Sequence, residues 1–130
     1  MAKESWVLVE DVGEVPADFA ISELEIVSFL QKGEIFILSD EMRKRAKKLG
    51  GNLGQRHAEF LLNCQIPEAW RQYYLVFPGT VWRDRDGDLC VPYLSWYGGR
   101  WVLGFNWLGY VWGSGGRLLV ARNAEILGFP

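Results

Sequence analysis

The sequence predicts an α+β domain in which a small helical layer, within residues 22–72, packs on a twisted antiparallel sheet or SH3-like barrel formed by the C-terminal half, residues 73–122. Three observations carry this expectation. Helix start and stop signals are confined to the first half, most completely from Ser39 to Gly50. From Tyr73 onward the apolar period shortens, and the turn pairs Pro78-Gly79, Asp86-Gly87 and Gly98-Gly99 recur at hairpin spacing. Between Tyr93 and Trp112, eight of twenty residues are aromatic, and W-x-G-x-x-W occurs twice, as Trp96-Gly98-Trp101 and Trp107-Gly109-Trp112. With 130 residues, a single domain over 1–130 with one core is expected.

The elements follow in order. Ser5 to Glu10 reads as a strand, rich in aromatic and β-branched residues. Ser22 to Lys32 reads as a helix, because Ser22 and Glu25 match a capping box, Ile26, Phe29 and Leu30 share a face, and Gly33 stops it. Glu34 to Leu38 is a short strand. Ser39 to Leu49 is the best-specified helix: Ser39 as N-cap, Asp40 and Glu41 in the first turn, Lys47 and Lys48 in the last, Gly50 as stop, and Met42, Ala46 and Leu49 as the apolar stripe. A further helix spans about Leu53 to Cys64, with Leu53, His57, Phe60, Leu61 and Cys64 on its buried side, and a short turn begins at Pro67. Strands are expected near Tyr73–Phe77, Thr80–Asp84, Leu89–Trp96, Arg100–Leu108 and Arg117–Arg122. Pro92 lacks an N–H and places its strand at an edge or a bulge. Both faces of Arg100–Leu108 are largely apolar, so the sheet closes into a small barrel with aromatics at its mouth, or its second face meets a partner, unless the glycines simply interdigitate with large rings.

The net charge of −2 conceals segregation: residues 1–40 carry nine acids against Lys3 and Lys32, whereas residues 41–57 carry six bases against Glu41. The two segments neutralise each other within the fold, or the basic helix meets a charged partner. If that partner is nucleic acid, Arg43, Lys44, Arg45, Lys47, Lys48 and Arg56 are the contacts. The helix pair around Gly50-Gly51-Asn52 has the outline of a helix-turn-helix, although its charge lies on the first helix rather than the second. Cys64 and Cys90 are expected reduced and unbridged. The start of the chain has no signal-peptide pattern, and no apolar run is long enough to span a bilayer, so the expected location is cytoplasmic.

No G-x-S-x-G, P-loop or H-E-x-x-H is present, and no motif calls for a cofactor or metal. Asp84-Arg85-Asp86-Gly87-Asp88 begins like a calcium loop but has Leu89 and Ser95 where an EF-hand needs Gly and Glu, so it reads as a polar hairpin turn. His57 reads as a core histidine, and a Cys90, His57 and Asp84 constellation stays open because spatial adjacency is invisible in sequence. The leading function is therefore non-catalytic binding of an unknown protein or small ligand through the aromatic sheet. A nucleic-acid-binding protein is second, an enzyme third, and self-association is compatible with each. Trp96, Tyr97, Tyr110 and Trp112, beside glycine turns, are the ligand candidates, while Trp101 and Trp107, in line with Leu103 and Phe105, are the expected core pair.

The segments EMRKRAKKLGGNLGQRHAEFLL and IPEAWRQYYLVFPGTVWRDRDGDLCVPYLSWYGGRWVL resemble a group of short bacterial proteins without an assigned activity. The resemblance covers about residues 41–122, and NLGQRHAEFLL and YYLVFPGTVWR are its most specific pieces. It implies a bacterial origin and transfers no functional residue.

Overall fold

The computed structural model describes residues 5–122. Its strands are β1 (Val7–Glu10), β2 (Leu24–Val27), β3 (Phe36–Ile37), β4 (Tyr74–Val76), β5 (Val81–Arg83), β6 (Leu89–Tyr97), β7 (Arg100–Trp107), β8 (Trp112–Gly113) and β9 (Gly116–Ala121). Its α-helices are α1 (Ser39–Leu49) and α2 (Gln55–Leu61), with 3-10 turns at Ile21–Glu23 and Glu68–Gln72. Seven strands make one sheet in the order β1-β5-β6-β4-β9-β2, with β7 on the remaining edge of β6; β3 and β8 form a separate ribbon. Every pairing is antiparallel except β4 with β9. The sheet curls into a half-barrel and does not close.

Alternation along the central strands divides the apolar residues between two cores. Leu75, Phe77, Leu94 and Leu119 join Leu53, Ala58 and Leu61 of the α2 region, together with Phe19 and Trp70. Val76, Val81, Val91 and Leu118 join Met42 and Ala46 of α1, with Phe29, Ile37 and Trp112. The two helices thus cover opposite faces of one sheet. Trp101 and Leu103 of β7 pack against the first core and Leu108, just beyond the strand, against the second, so two cores stand where one was expected. Interdigitation contributes to this packing as well: a Cβ on Gly104 would lie 3.0 Å from the Tyr93 ring.

The segment 22–32 departs from the expected helix. Leu24–Val27 is a strand whose Ile26 and Val27 lie opposite Leu119 and Leu118 of β9. A capping box is worth little against an edge ladder that also buries Leu24 and Phe29, so tertiary pairing overrides the local signal. Within the expected helical layer, residues 22–38 therefore supply strands and turns. α1 has the expected bounds, and Gly50 ends it at φ 80°, the left-handed conformation glycine favours. Its N-cap, however, is Leu38, and Ser39 is already helical. The Ser39 hydroxyl donates to the Leu108 carbonyl and accepts from Trp112 Nε1 at 2.7 Å, long-range partners that take it away from capping. Leu49 and Phe60, expected inside, are exposed, and Cys64 is half-buried.

Pro92 lies inside the sheet rather than at an edge or bulge. β6 pairs with β7 along its whole length, and its other side pairs first with β5 and then with β4. The Pro92 carbonyl accepts the Phe77 N–H at 3.0 Å, so the absent N–H falls on that same side, where β5 has ended and β4 begins. The ladder loses nothing there.

The two most specific pieces of sequence are knitted together at this junction. The Gly79 N–H donates to the Leu53 carbonyl at 2.7 Å, the Gln55 N–H to the Thr80 hydroxyl at 2.7 Å, and Trp82 Nε1 to Gln55 Oε1 at 2.7 Å. Thr80 in turn donates to Asp11 Oδ1 at 2.8 Å. The approach is too close for side chains: a Cβ on Gly79 would sit 2.5 Å from the Asn52 carbonyl oxygen.

Candidate binding cleft

Residues directly opposite in a sheet share a face, which puts Leu8, Trp82, Cys90 and Trp107 on one side in a row across β1, β5, β6 and β7. α2 covers the middle of this face and stops short of the Phe105–Trp107 end. There Trp6 lies edge-on to Phe105, with centroids 5.1 Å apart, and Tyr110 packs on Trp107 at 5.3 Å and 49°. Trp107 remains 46% exposed and Tyr110 51%. Three clefts meet at Trp107. One of about 550 Å³ is lined by Trp6, Leu103–Trp107 and Tyr110. A second, about 390 Å³, runs past Leu108 and Tyr110 to Asp88, and a third, about 340 Å³, runs past Trp6 to Asp84, Arg85 and Asp86.

The acidic rim is a pre-formed turn, as expected. Asp84 Oδ1 accepts the N–H groups of Asp86 at 3.0 Å and Asp88 at 2.9 Å, and Gly87 takes φ 87° at its tip.

The four predicted ligand aromatics separate. Tyr110 lies in the cleft. Tyr97 is 77% exposed at the tip of the β6–β7 hairpin, remote from it in register. Trp96 pairs across the strands with Trp101, and the Arg71 guanidinium lies 3.7 Å from the centre of its ring, occupying the face a ligand would use. Trp112 is fully buried, edge-on to Phe29 at 6.5 Å, which removes it from the candidates. Trp107, expected in the core with Trp101, is instead the most accessible indole of the cleft, and Trp101 is half-buried. The two W-x-G-x-x-W copies are not equivalent. Gly98 and Gly99 have positive φ and close a two-residue hairpin, whereas Gly109 does not, and the chain after it turns inward as β8. Trp6 and Phe105 carry no local signal of their role, because they are remote in sequence and meet only in the folded, curled sheet.

The basic set is partly consumed inside the fold. Arg45, with a side chain 12% exposed, binds Glu34 at 2.6 and 2.9 Å, Glu41 at 2.8 Å and the Phe29 carbonyl at 2.9 Å. The Glu34 carboxyl is held at about 2, first by the Arg45 hydrogen bond and then by the Gln31 N–H. Arg43 is paired with Glu10, and Arg56 lies 3.8 Å from Glu14. Among the described residues no ion pair involves Lys44, Lys47 or Lys48. Because α1 and α2 pack on opposite faces, they do not form a helix-turn-helix.

Cys90, His57 and Asp84 are not joined either. His57 is buried, its Nδ1 accepts the Gly54 N–H at 3.0 Å, and Phe19 packs edge-on at 5.1 Å. Burial pushes the imidazole below its ordinary range. The Cys90 thiol contacts the Trp82 carbonyl at 3.7 Å and is pushed up to about 11, by burial first and then by Asp84 and Asp88, so it is not a thiolate at neutral pH. Both cysteines are free. Among the described residues, no group of three or more metal-ligating side chains converges, and no helix is long and apolar enough to cross a membrane.

No protein-family model, curated protein or solved structure matches the chain.

Proposed function

We propose that the protein is a non-catalytic binding module whose ligand occupies the cleft around Trp107. The observation that carries this reading is the half-exposed Trp107–Tyr110 pair at the meeting point of three clefts. Two large apolar rings left in water cost free energy, and rings so placed are the usual anchors of binding surfaces. The other reactive groups support it by their settings: His57 and Cys90 are each held neutral in separate surroundings, and Arg43 and Arg45 are spent on internal pairs. Free thiols suit a reducing compartment such as the cytoplasm.

The test is a comparison of the wild type with Trp107→Ala and Tyr110→Ala on arrays of peptides, glycans and single-stranded oligonucleotides. The reading expects one ligand class to be retained by the wild type and lost by both variants, while both remain folded at the assay temperature. Retention that survives both substitutions, or no retention of any class, overturns it.

A further inference from the structure

We infer that the occupant of this cleft is an extended peptide segment that adds as a strand along the outer edge of β7, with a basic side chain at the end beside Asp84, Asp86 and Asp88. The inference rests on the cleft proposed above and goes further by naming the ligand and its mode of binding.

The first support is the shape of the cleft of about 550 Å³. Its lining includes five consecutive residues, Leu103, Gly104, Phe105, Asn106 and Trp107. Successive residues of a strand point to opposite faces, so a cleft lined by all five reaches the backbone edge of the strand. The second support is the hydrogen-bond phase of that edge. Tyr97 and Arg100 close the two-residue hairpin and exchange bonds, which makes Ser95 with Val102, Tyr93 with Gly104 and Val91 with Asn106 the bonded pairs. The N–H and C=O groups of Trp101, Leu103 and Phe105 therefore point away from β6, and no other described strand pairs with β7. At Trp107 the ladder is closed off locally: its N–H meets Asn106 Oδ1 at 3.1 Å and its carbonyl accepts the Tyr110 N–H at 3.2 Å. An unpaired edge of this kind is the template for strand addition.

The walls and the charge select the occupant. Trp6 and Tyr110 line the cleft beside this edge. A single extended chain needs room for one strand there, whereas a second copy brings its own Trp6 and Tyr110 into the same space. The two clefts that adjoin this one at Trp107 are lined by three carboxylates, Asp84, Asp86 and Asp88, with Arg85 as the one basic residue of their lining. A lysine or arginine there gains both carboxylate and ring-face contacts.

Two measurements decide it. In the free protein, amide hydrogen exchange should alternate along β7, fast at Leu103 and Phe105 and slow at Val102, Gly104 and Asn106. Slow exchange at Leu103 and Phe105 means the edge is already covered and overturns the inference. Next, a random decapeptide library is selected on the wild type and the best synthetic decapeptide is titrated. The expected results are slowed exchange at Leu103 and Phe105 on binding, a basic residue in the selected sequence, and affinity lowered at least tenfold by Trp107→Ala and several-fold by Asp86→Lys with Asp88→Lys. N-methylation of one alternating set of peptide amides should abolish binding, and methylation of the other set should leave it. No enrichment, or selected peptides that are neutral or bind without protecting those amides, overturns strand addition. If glycans or oligonucleotides bind in a Trp107-dependent way instead, this inference fails and the binding module stands; if a Trp107-dependent dimer appears by sedimentation, the occupant is a second copy and the inference also fails.

Discussion

Truncating the two tryptophans of the second W-x-G-x-x-W should give opposite outcomes. Trp112 is fully enclosed, edge-on to Phe29, and its indole N–H donates to Ser39 at 2.7 Å. Trp112→Ala removes that burial, leaves a cavity beneath α1 and strips Ser39 of its donor, a cost of about 3–5 kcal/mol. For a domain of this length, holding roughly 5–15 kcal/mol in all, that is a loss of about 10–20 °C in melting temperature. Trp107 is 46% exposed, so its side chain withdraws only about 100 Å² from water. At about 25 cal/mol per Å² the upper bound is about 2.5 kcal/mol, and with the site open to solvent and no sealed cavity the expected cost is about 1–2 kcal/mol. Urea and thermal unfolding of the two variants, followed by far-ultraviolet circular dichroism, measure the difference directly. Acrylamide quenching supplies the check: Trp107→Ala should remove an accessible component of the fluorescence and Trp112→Ala, below its own transition, should not. If the two variants unfold within a few degrees of each other, the assignment of one indole to the core and the other to the cleft is refuted.

Other expectations concern the interior. Gly79→Ala forces a Cβ against two backbone carbonyls and should cost at least about 2 kcal/mol, whereas Gly109→Ala, with nothing within 4 Å, should be nearly neutral; equal effects in chemical denaturation would contradict the close junction. Burial depresses the folded-state titration of His57, so the unfolded chain binds the proton first. His57 should add no pH dependence above about pH 7, and stability should fall as pH drops through its ordinary value of 6.5; His57→Asn, which keeps an acceptor near the Gly54 N–H, should flatten that fall in pH-dependent unfolding. With the native protein, a thiol reagent should modify half-buried Cys64 well before Cys90, whose thiol is pushed up to about 11; denaturation should expose two titratable thiols, and equal native rates would show Cys90 to be accessible.

Much of the fold was legible because many of its signals are local. The glycine stop and the end charges of α1 lie within one stretch of chain, and the hairpins of β5 to β7 are set by adjacent turn residues, so these elements appear at nearly the expected bounds. β2 was read as a helix because the information that makes it a strand resides in Leu118–Ala121. Ser39 was read as a cap for the same reason: its competing partners, Leu108 and Trp112, are remote in sequence. The site was half legible. Aromatic density pointed to the correct strand, but which indole is enclosed depends on where α2 ends and where the β3–β8 ribbon folds over the α1 face. Neither is encoded by the repeat, whose two copies are identical at the positions that define them.

The pairing of β2 with β9 has a consequence during synthesis. Leu24 lies opposite Ala121, so β2 leaves the ribosome 97 residues before its partner exists. In that interval only its local preferences act, and the Ser22–Glu25 capping pattern favours a helix over the same residues. The meander β5–β6–β7, made of near-neighbour hairpins, needs no such wait. The order of assembly that follows is a central meander first and the β9–β2 border last, with the segment around Leu24–Val27 exchanging a helical bias for an extended one when β9 arrives. The arrival of β9, rather than growth of the chain as such, is the event that completes the sheet.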